Sequence, residues 1–177
     1  MSILDTGVKN VRNVLGYTIG AGSVSGLEEL LFPLRANNQP IVMFIDEFFR
    51  GNDNVLSKLK IQANDVVKYV FTKHEPTTTY IDTLVEELRS QGIATPSAIV
   101  GMGGGVSLDV AKAVANIMTN GGNAEDYQGW DLVKNPGIFK IAIPTLSGTG
   151  AEATRTCVMT NKKTGLKLGM NSDFTVY

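Results

Sequence analysis

The chain has 177 residues, 43% of them hydrophobic, enough for one domain with a substantial core. Sixteen Lys and Arg against 17 Asp and Glu leave a net charge of −1, which lacks the basic footprint of a nucleic-acid or polyanion binder. The single Cys157 cannot form an internal disulfide, no stretch reaches membrane-spanning length, and no basic region followed by a long apolar run opens the chain, so a cytoplasmic protein without membrane partners is expected.

Tyr17 to Ser23 suggests a strand leading into a glycine turn. Val24, Leu27, Leu30, Leu31 and Leu34 then recur at helical spacing, with Ser23 or Ser25 as cap and Pro33 near the end. Ile41 to Ile45 is a five-residue apolar run that reads as the first central strand, with Asp46 at its carboxyl end and a helix expected around Asn54 to Leu59. Val66 to Phe71 is short and rich in β-formers, hence another strand. Pro76 opens a helix whose buried stripe is Ile81, Leu84, Val85 and Leu88, with Glu86 and Glu87 facing water and Gly92 as the stop.

The most informative stretch is Ser97 to Ala115. Ala98, Ile99 and Val100 read as a buried parallel strand, Gly103, Gly104 and Gly105 as a turn, and Val106, Val110, Ala113, Val114 and Ile117 as the buried stripe of a helix that starts at once. Glycine amides and the free N–H groups of a new helix would point at one spot, which suits an anion. The alternative is a tight turn that only permits close helix–sheet packing. A side chain at Gly104 would block close approach and resist any positive φ the turn requires. Asn120 to Asn123 ends the helix, and a loop runs past Trp130 to Pro136. Ile138 to Ile143 returns as a strand, Thr145 to Gly150 is a loop beside the first, and residues 157–160 and 166–168 flank Asn161 to Gly165 as a β-hairpin.

Asp46 has two readings. An acid ending a strand can accept hydrogen bonds from both hydroxyls of an adenosine ribose and repel a 2′-phosphate, favouring NAD over NADP; it can equally cap the following helix or be solvated. The acid precedes the glycine loop, opposite to the order of an ordinary dinucleotide fingerprint, so the two belong to different strands. His74 reads as a solvated or capping imidazole and Cys157 as a small core residue, not as metal ligands or nucleophile.

Gly103-Gly104-Gly105-Val106-Ser107-Leu108-Asp109-Val110-Ala111-Lys112 resembles the Gly-Gly-Gly-Ser-x-x-Asp-x-Ala-Lys motif of the iron-containing (group III) alcohol dehydrogenases, and Pro144 to Thr154 resembles that family's Pro-Thr-Thr-x-Gly-Thr-Gly-Ser-Glu-x-Thr stretch. Glu75-Pro76-Thr77 also resembles the segment before the preceding helix. Val106, Leu146 and Ala151 depart from the usual Ser, Thr and Ser. The resemblance implies an α/β fold: a Rossmann-like N-terminal domain, residues 1–177, with a mostly parallel sheet flanked by helices and a β-hairpin near its C-terminal end. It implies NAD as cofactor, with Gly103, Gly104, Gly105, Val106 and Ser107 at the pyrophosphate, Asp46 at the adenosine ribose, and Thr145, Leu146 and Thr149 on the adenine and phosphate side. It also places Asp109 near the nicotinamide half, unless it is a first-turn acid serving the helix dipole, and Lys167 near the nicotinamide ribose, unless it is a solvated hairpin lysine.

Members of the family hold a divalent metal, iron or zinc, with an Asp and three His from a C-terminal helical domain. The chain has one His and ends at a point resembling the stretch before the first of those ligands, so a piece of a longer two-domain enzyme is expected, inactive alone and homodimeric when intact. Residues 145–156 with 166–173 most resemble the branch of 3-deoxy-D-manno-octulosonate 8-oxidases of lipopolysaccharide biosynthesis. Other branches act on small alcohols, propanediols or butanol, and related folds include glycerol dehydrogenase and dehydroquinate synthase. A nucleotide-binding or assembly module without catalysis is the alternative of a different class.

Overall fold

The computed structural model describes residues 14–177. Its main sheet has four parallel strands, β1 (Ile41–Asp46), β2 (Val66–Val70), β3 (Ala98–Gly103) and β5 (Lys140–Pro144), in the order β2-β1-β3-β5. Parallel neighbours need crossovers, supplied by α2 (Asp53–Leu56) with a following 3-10 turn, α3 (Thr78–Ser90) and α4 (Gly105–Asn120). Residues of β1 alternate between two cores. Val42 and Phe44 pack with Ile81, Leu84, Val85 and Leu88 of α3 and with α4, whereas Ile41, Met43 and Ile45 pack with Leu27, Leu31 and Leu59 on the other face. Both faces of the sheet are therefore covered, which is why β1 and β3 are apolar without polar alternation.

A second, three-stranded sheet has the order β4-β7-β6, where β6 (Thr156–Asn161) and β7 (Leu166–Asn171) form the antiparallel hairpin and β4 (Gly129–Trp130) pairs in parallel with β7. Cys157, Met159 and Met170 of this sheet join the core that contains α4. The helix is thus held between two sheets. Eleven of its residues are buried, not only the stripe expected from periodicity, because the hairpin covers the face that would otherwise meet water.

Several elements differ from the expectation. The described residues carry no strand before β1, and Tyr17 and Ile19 are exposed. The helix expected over Val24 to Leu34 is broken into a 3-10 turn (Ser23–Gly26), a short α1 (Leu27–Leu31) and a second 3-10 turn (Phe32–Asn37), with no serine capping it. Gly26 and Pro33 each interrupt the run, and Leu30 faces solvent while Leu27 and Leu31 are buried. Thr77, not Pro76, caps α3, its hydroxyl accepting from Tyr80 N at 3.2 Å. The strand expected from Ile138 begins at Lys140 and runs to Pro144.

Candidate functional site

All four main-sheet strands end along one edge, and the chain leaves β1 toward β2 on one side and later returns to β3 on the other. The carboxyl ends of β1 and β3 therefore flank the point where the strand order reverses, where open α/β sheets form a crevice. Asp46 and Gly103 meet there: a Cβ built on Gly103 would lie 2.9 Å from Asp46 Cβ and 2.6 Å from Ser107 Oγ. Only glycine fits, and its φ of +150° reinforces the requirement.

Gly104 precedes α4 with φ −81° and no side-chain cap. The positive φ anticipated in this turn belongs to Gly103, so a side chain at Gly104 meets no backbone strain, only Leu146 Cδ1 at 3.0 Å. The amides of Gly105, Val106 and Ser107 have no intrahelical acceptor by the geometry of a helix start. Ser107 itself is fully buried, and its hydroxyl has no hydrogen-bond partner among the described residues. It is shut in behind Gly103, so the helix start offers the crevice backbone N–H groups rather than this side chain.

The loop after β5 lies against the glycine turn. Thr145 N donates to Gly103 O at 2.9 Å, and Cβ atoms built on Gly104 and Gly105 would touch Leu146 and Thr149. Thr145, Leu146 and Thr149 are exposed, with Leu146 showing 63% of its surface. Asp46 is half-buried; its Oδ1 accepts from Phe48 N at 3.0 Å and from Thr72 Oγ1 at 3.2 Å, capping the 3-10 turn Glu47–Phe49 rather than the helix further on. Its Oδ2 accepts from no described residue.

Asp109 and Lys167 lie on the hairpin side. Asp109 Oδ2 accepts from Val158 N of β6 at 3.0 Å, so its carboxylate braces α4 against the hairpin instead of serving only the helix dipole. Burial pushes its pKa up to about 6, opposed by the Val158 hydrogen bond and the Lys112 ammonium. Lys167 is paired with Glu75, both exposed. This pair is close enough to act on the ionisation of Asp109. Periodicity hid one polar residue that matters: Lys112 is fully buried, and its Nζ donates to Thr154 O at 2.7 Å and Thr156 O at 3.0 Å. Burial lowers its pKa, partly offset by Cys157, Asp109 and Glu152. The signal was a lysine set among Val110, Ala111, Ala113 and Val114, where no solvent-facing stripe accommodates it.

His74 is exposed and Cys157 fully buried, with burial pushing the thiol pKa up, so they form no common site. Among the described residues no group of three or more His, Cys, Asp or Glu is arranged to hold a metal, and the residues present do not fit the metal the fold family implies. No helix among them is long and apolar enough to cross a membrane. Two concavities lie elsewhere, one along Asp82, Thr83 and Glu86 of α3 and one of about 340 Å³ bordered by Leu15, Phe139, Lys140, Phe174 and Tyr177. Neither touches the crevice. The crevice takes precedence because it joins uncapped helix amides, the glycine required at position 103 and a strand-terminal acid.

A parallel α/β sheet covered on both faces, with a glycine turn opening a helix at its switch point, defines the structural class. Within it, the family model of iron-containing alcohol dehydrogenases matches residues 16–176, and the chain belongs to that family. It is 30% identical over 153 residues to an NAD-dependent methanol dehydrogenase of Bacillus methanolicus, covering 85% of this chain and 39% of that protein. It is 37% identical over 106 residues to a sulfoacetaldehyde reductase of Bilophila wadsworthia, covering 60% of this chain and 27% of that protein. Among solved structures, an alcohol dehydrogenase from Oenococcus oeni superposes with a TM-score of 0.78 at 26% identity, covering 94% of this chain and 44% of the other. A sulfoacetaldehyde reductase from Bifidobacterium kashiwanohense in complex with NAD+ superposes at 0.72 with 27% identity, covering 94% and 43%. The chain spans less than half the length of these relatives.

Proposed function

We propose that residues 1–177 are the dinucleotide-binding domain of an NAD-dependent alcohol dehydrogenase acting on a small alcohol or aldehyde. The observation that carries this reading is the meeting of Asp46 with Gly103 at the switch point, beside an uncapped helix start. The fit is chemical. Amides of Gly105, Val106 and Ser107, approached past the bare Cα of Gly104, suit a diphosphate; the free Oδ2 of Asp46 suits ribose hydroxyls; Thr145, Leu146 and Thr149 suit the adenine and phosphate side. Asp109 and Lys167 are assigned to the nicotinamide half, where the Glu75 pair would have to open or rearrange for Lys167 to reach it.

When bound, the nicotinamide supplies a two-electron hydride acceptor or donor. This chain's residues hold and orient it, with Leu146 beside Gly104 at the phosphate side. No metal or proton-transfer step is assigned to them. Homodimerisation and a cytoplasmic location belong to the same reading. The relatives named above act, by their names, on methanol, sulfoacetaldehyde and unspecified alcohols. A sugar-acid substrate, the 8-hydroxyl of 3-deoxy-D-manno-octulosonate, rests on the likeness of residues 145–156 and 166–173 alone.

Calorimetry of the 177-residue chain with NAD and NADP tests the reading. NAD should bind more tightly, and Asp46→Ala should weaken NAD by roughly tenfold or more, the worth of a charge-assisted hydrogen bond, while narrowing the preference. Equal affinity for both cofactors in the unaltered chain would overturn the role of Asp46.

A further inference from the structure

The loop that follows β5 is fastened at both ends to the unit formed by β3, the glycine turn and α4. Its entry is held by the Thr145 amide on Gly103 O at 2.9 Å. Its exit is held by Lys112, whose Nζ reaches the carbonyls of Thr154 at 2.7 Å and Thr156 at 3.0 Å, with Thr154 Oγ1 at 3.4 Å. Between those anchors lie Leu146 and Thr149, the residues in contact range of Gly104 and Gly105.

An ammonium is a costly way to fill a helix–hairpin interface. Desolvating it carries a penalty that a methionine of similar volume would avoid. What the ammonium provides is direction. Its three N–H donors reach two main-chain carbonyls and the Thr154 hydroxyl oxygen at the point where the loop becomes β6, and the aromatic ring of Tyr177 lies 5.2 Å away. Its position in the helix is seven residues beyond Gly105, about two turns, so it transmits the placement of α4 to the far end of the loop. Asp109 makes the next attachment, to Val158, but on β6 itself and outside the loop.

We propose that Lys112 is a positioning residue for cofactor binding: by holding Thr154 and Thr156 it keeps Leu146 and Thr149 against Gly104 and Gly105, so that the two loops form one cradle. The inference rests on the cofactor reading above. Lys112→Met keeps most of the volume and removes the donors. In the folded variant, amide hydrogen exchange over residues 145–154 should rise at least tenfold, exchange over 41–46 should stay unchanged, and the Kd for NAD should rise at least tenfold. Lys112→Gln, which keeps an N–H donor on a shorter stem, should recover part of the affinity. NAD affinity indifferent to Lys112→Met would overturn the proposal alone. So would exchange that rises equally over 41–46, or loss of circular dichroism in both variants, since Lys112 would then be a core strut. If the unaltered chain binds no NAD, the cofactor reading fails with it.

Discussion

Gly103 and Gly104 are neighbours that lack side chains for different reasons. Gly103 sits at φ +150° with Ser107 and Asp46 pressed against its α-carbon, so Gly103→Ala meets both backbone strain and collision. The loss expected is on the order of 1–3 kcal/mol, read as a lower urea midpoint. Gly104 has φ −81°, and what a new side chain meets is the tip of an exposed leucine. Gly104→Val should therefore cost less than about 1 kcal/mol of stability yet abolish NAD binding, by filling the approach to the helix amides. Parallel urea and NAD titrations check the pair, and a Gly104→Val protein with normal affinity would remove the cofactor from this loop. Asp109 offers a test by pH. Its folded pKa of about 6 lies above the ordinary 3.8, so between these values the folded state holds the extra proton and stability falls as pH rises from about 4 to 6. Asp109→Asn, which still accepts from the Val158 amide, should remove on the order of 1–3 kcal/mol of that fall, measured by urea unfolding at successive pH values.

At the scale of elements, α4 decides how close the sheets can come. A Cβ on Gly101 would lie 2.9 Å from Ala111 Cβ and 2.9 Å from Tyr177 Oη, whose hydroxyl donates to Leu108 O at 2.6 Å. Gly101→Val must push helix and strand apart; it should cost about 2–4 kcal/mol in urea unfolding and weaken NAD binding as the helix start moves with it. A melting temperature equal to that of the unaltered chain would contradict this packing. The helix was legible in the sequence because apolar spacing persists from Val106 to Ile117, but periodicity reports a stripe and is silent about what lands on the opposite face. The hairpin partner, and with it Lys112 and the Val158 brace on Asp109, is a long-range fact. Leu27 and Leu31 were legible in the same way, while the breaks at Gly26 and Pro33 overruled an apolar pattern from Val24 to Leu34 too short to sustain a continuous helix. Gly129–Trp130 gave no signal, since two residues hold no period and β4 exists only by pairing with β7.

Across the whole molecule, the apolar runs of β1 and β3 and the glycine turn between strand and helix made the sheet and the turn that opens α4 readable, because strands covered on both faces advertise themselves as uninterrupted hydrophobic segments. The sheet order β2-β1-β3-β5 was not readable in that way, and it is what brings Asp46 to Gly103. The order has a kinetic corollary. Neither partner of β1 can be reached by a tight hairpin; each must wait for a crossover, and closing those loops costs chain entropy before the pairing compensates it. As the chain leaves the ribosome, β1 and β2 with the segments packed on them emerge while β3 is still unmade, and Asp46 then borders an open strand edge. The crevice cannot exist until β3 has paired with β1, so its two walls depend on a pairing between segments distant in sequence, and Asp46 faces Gly103 only once that crossover has closed.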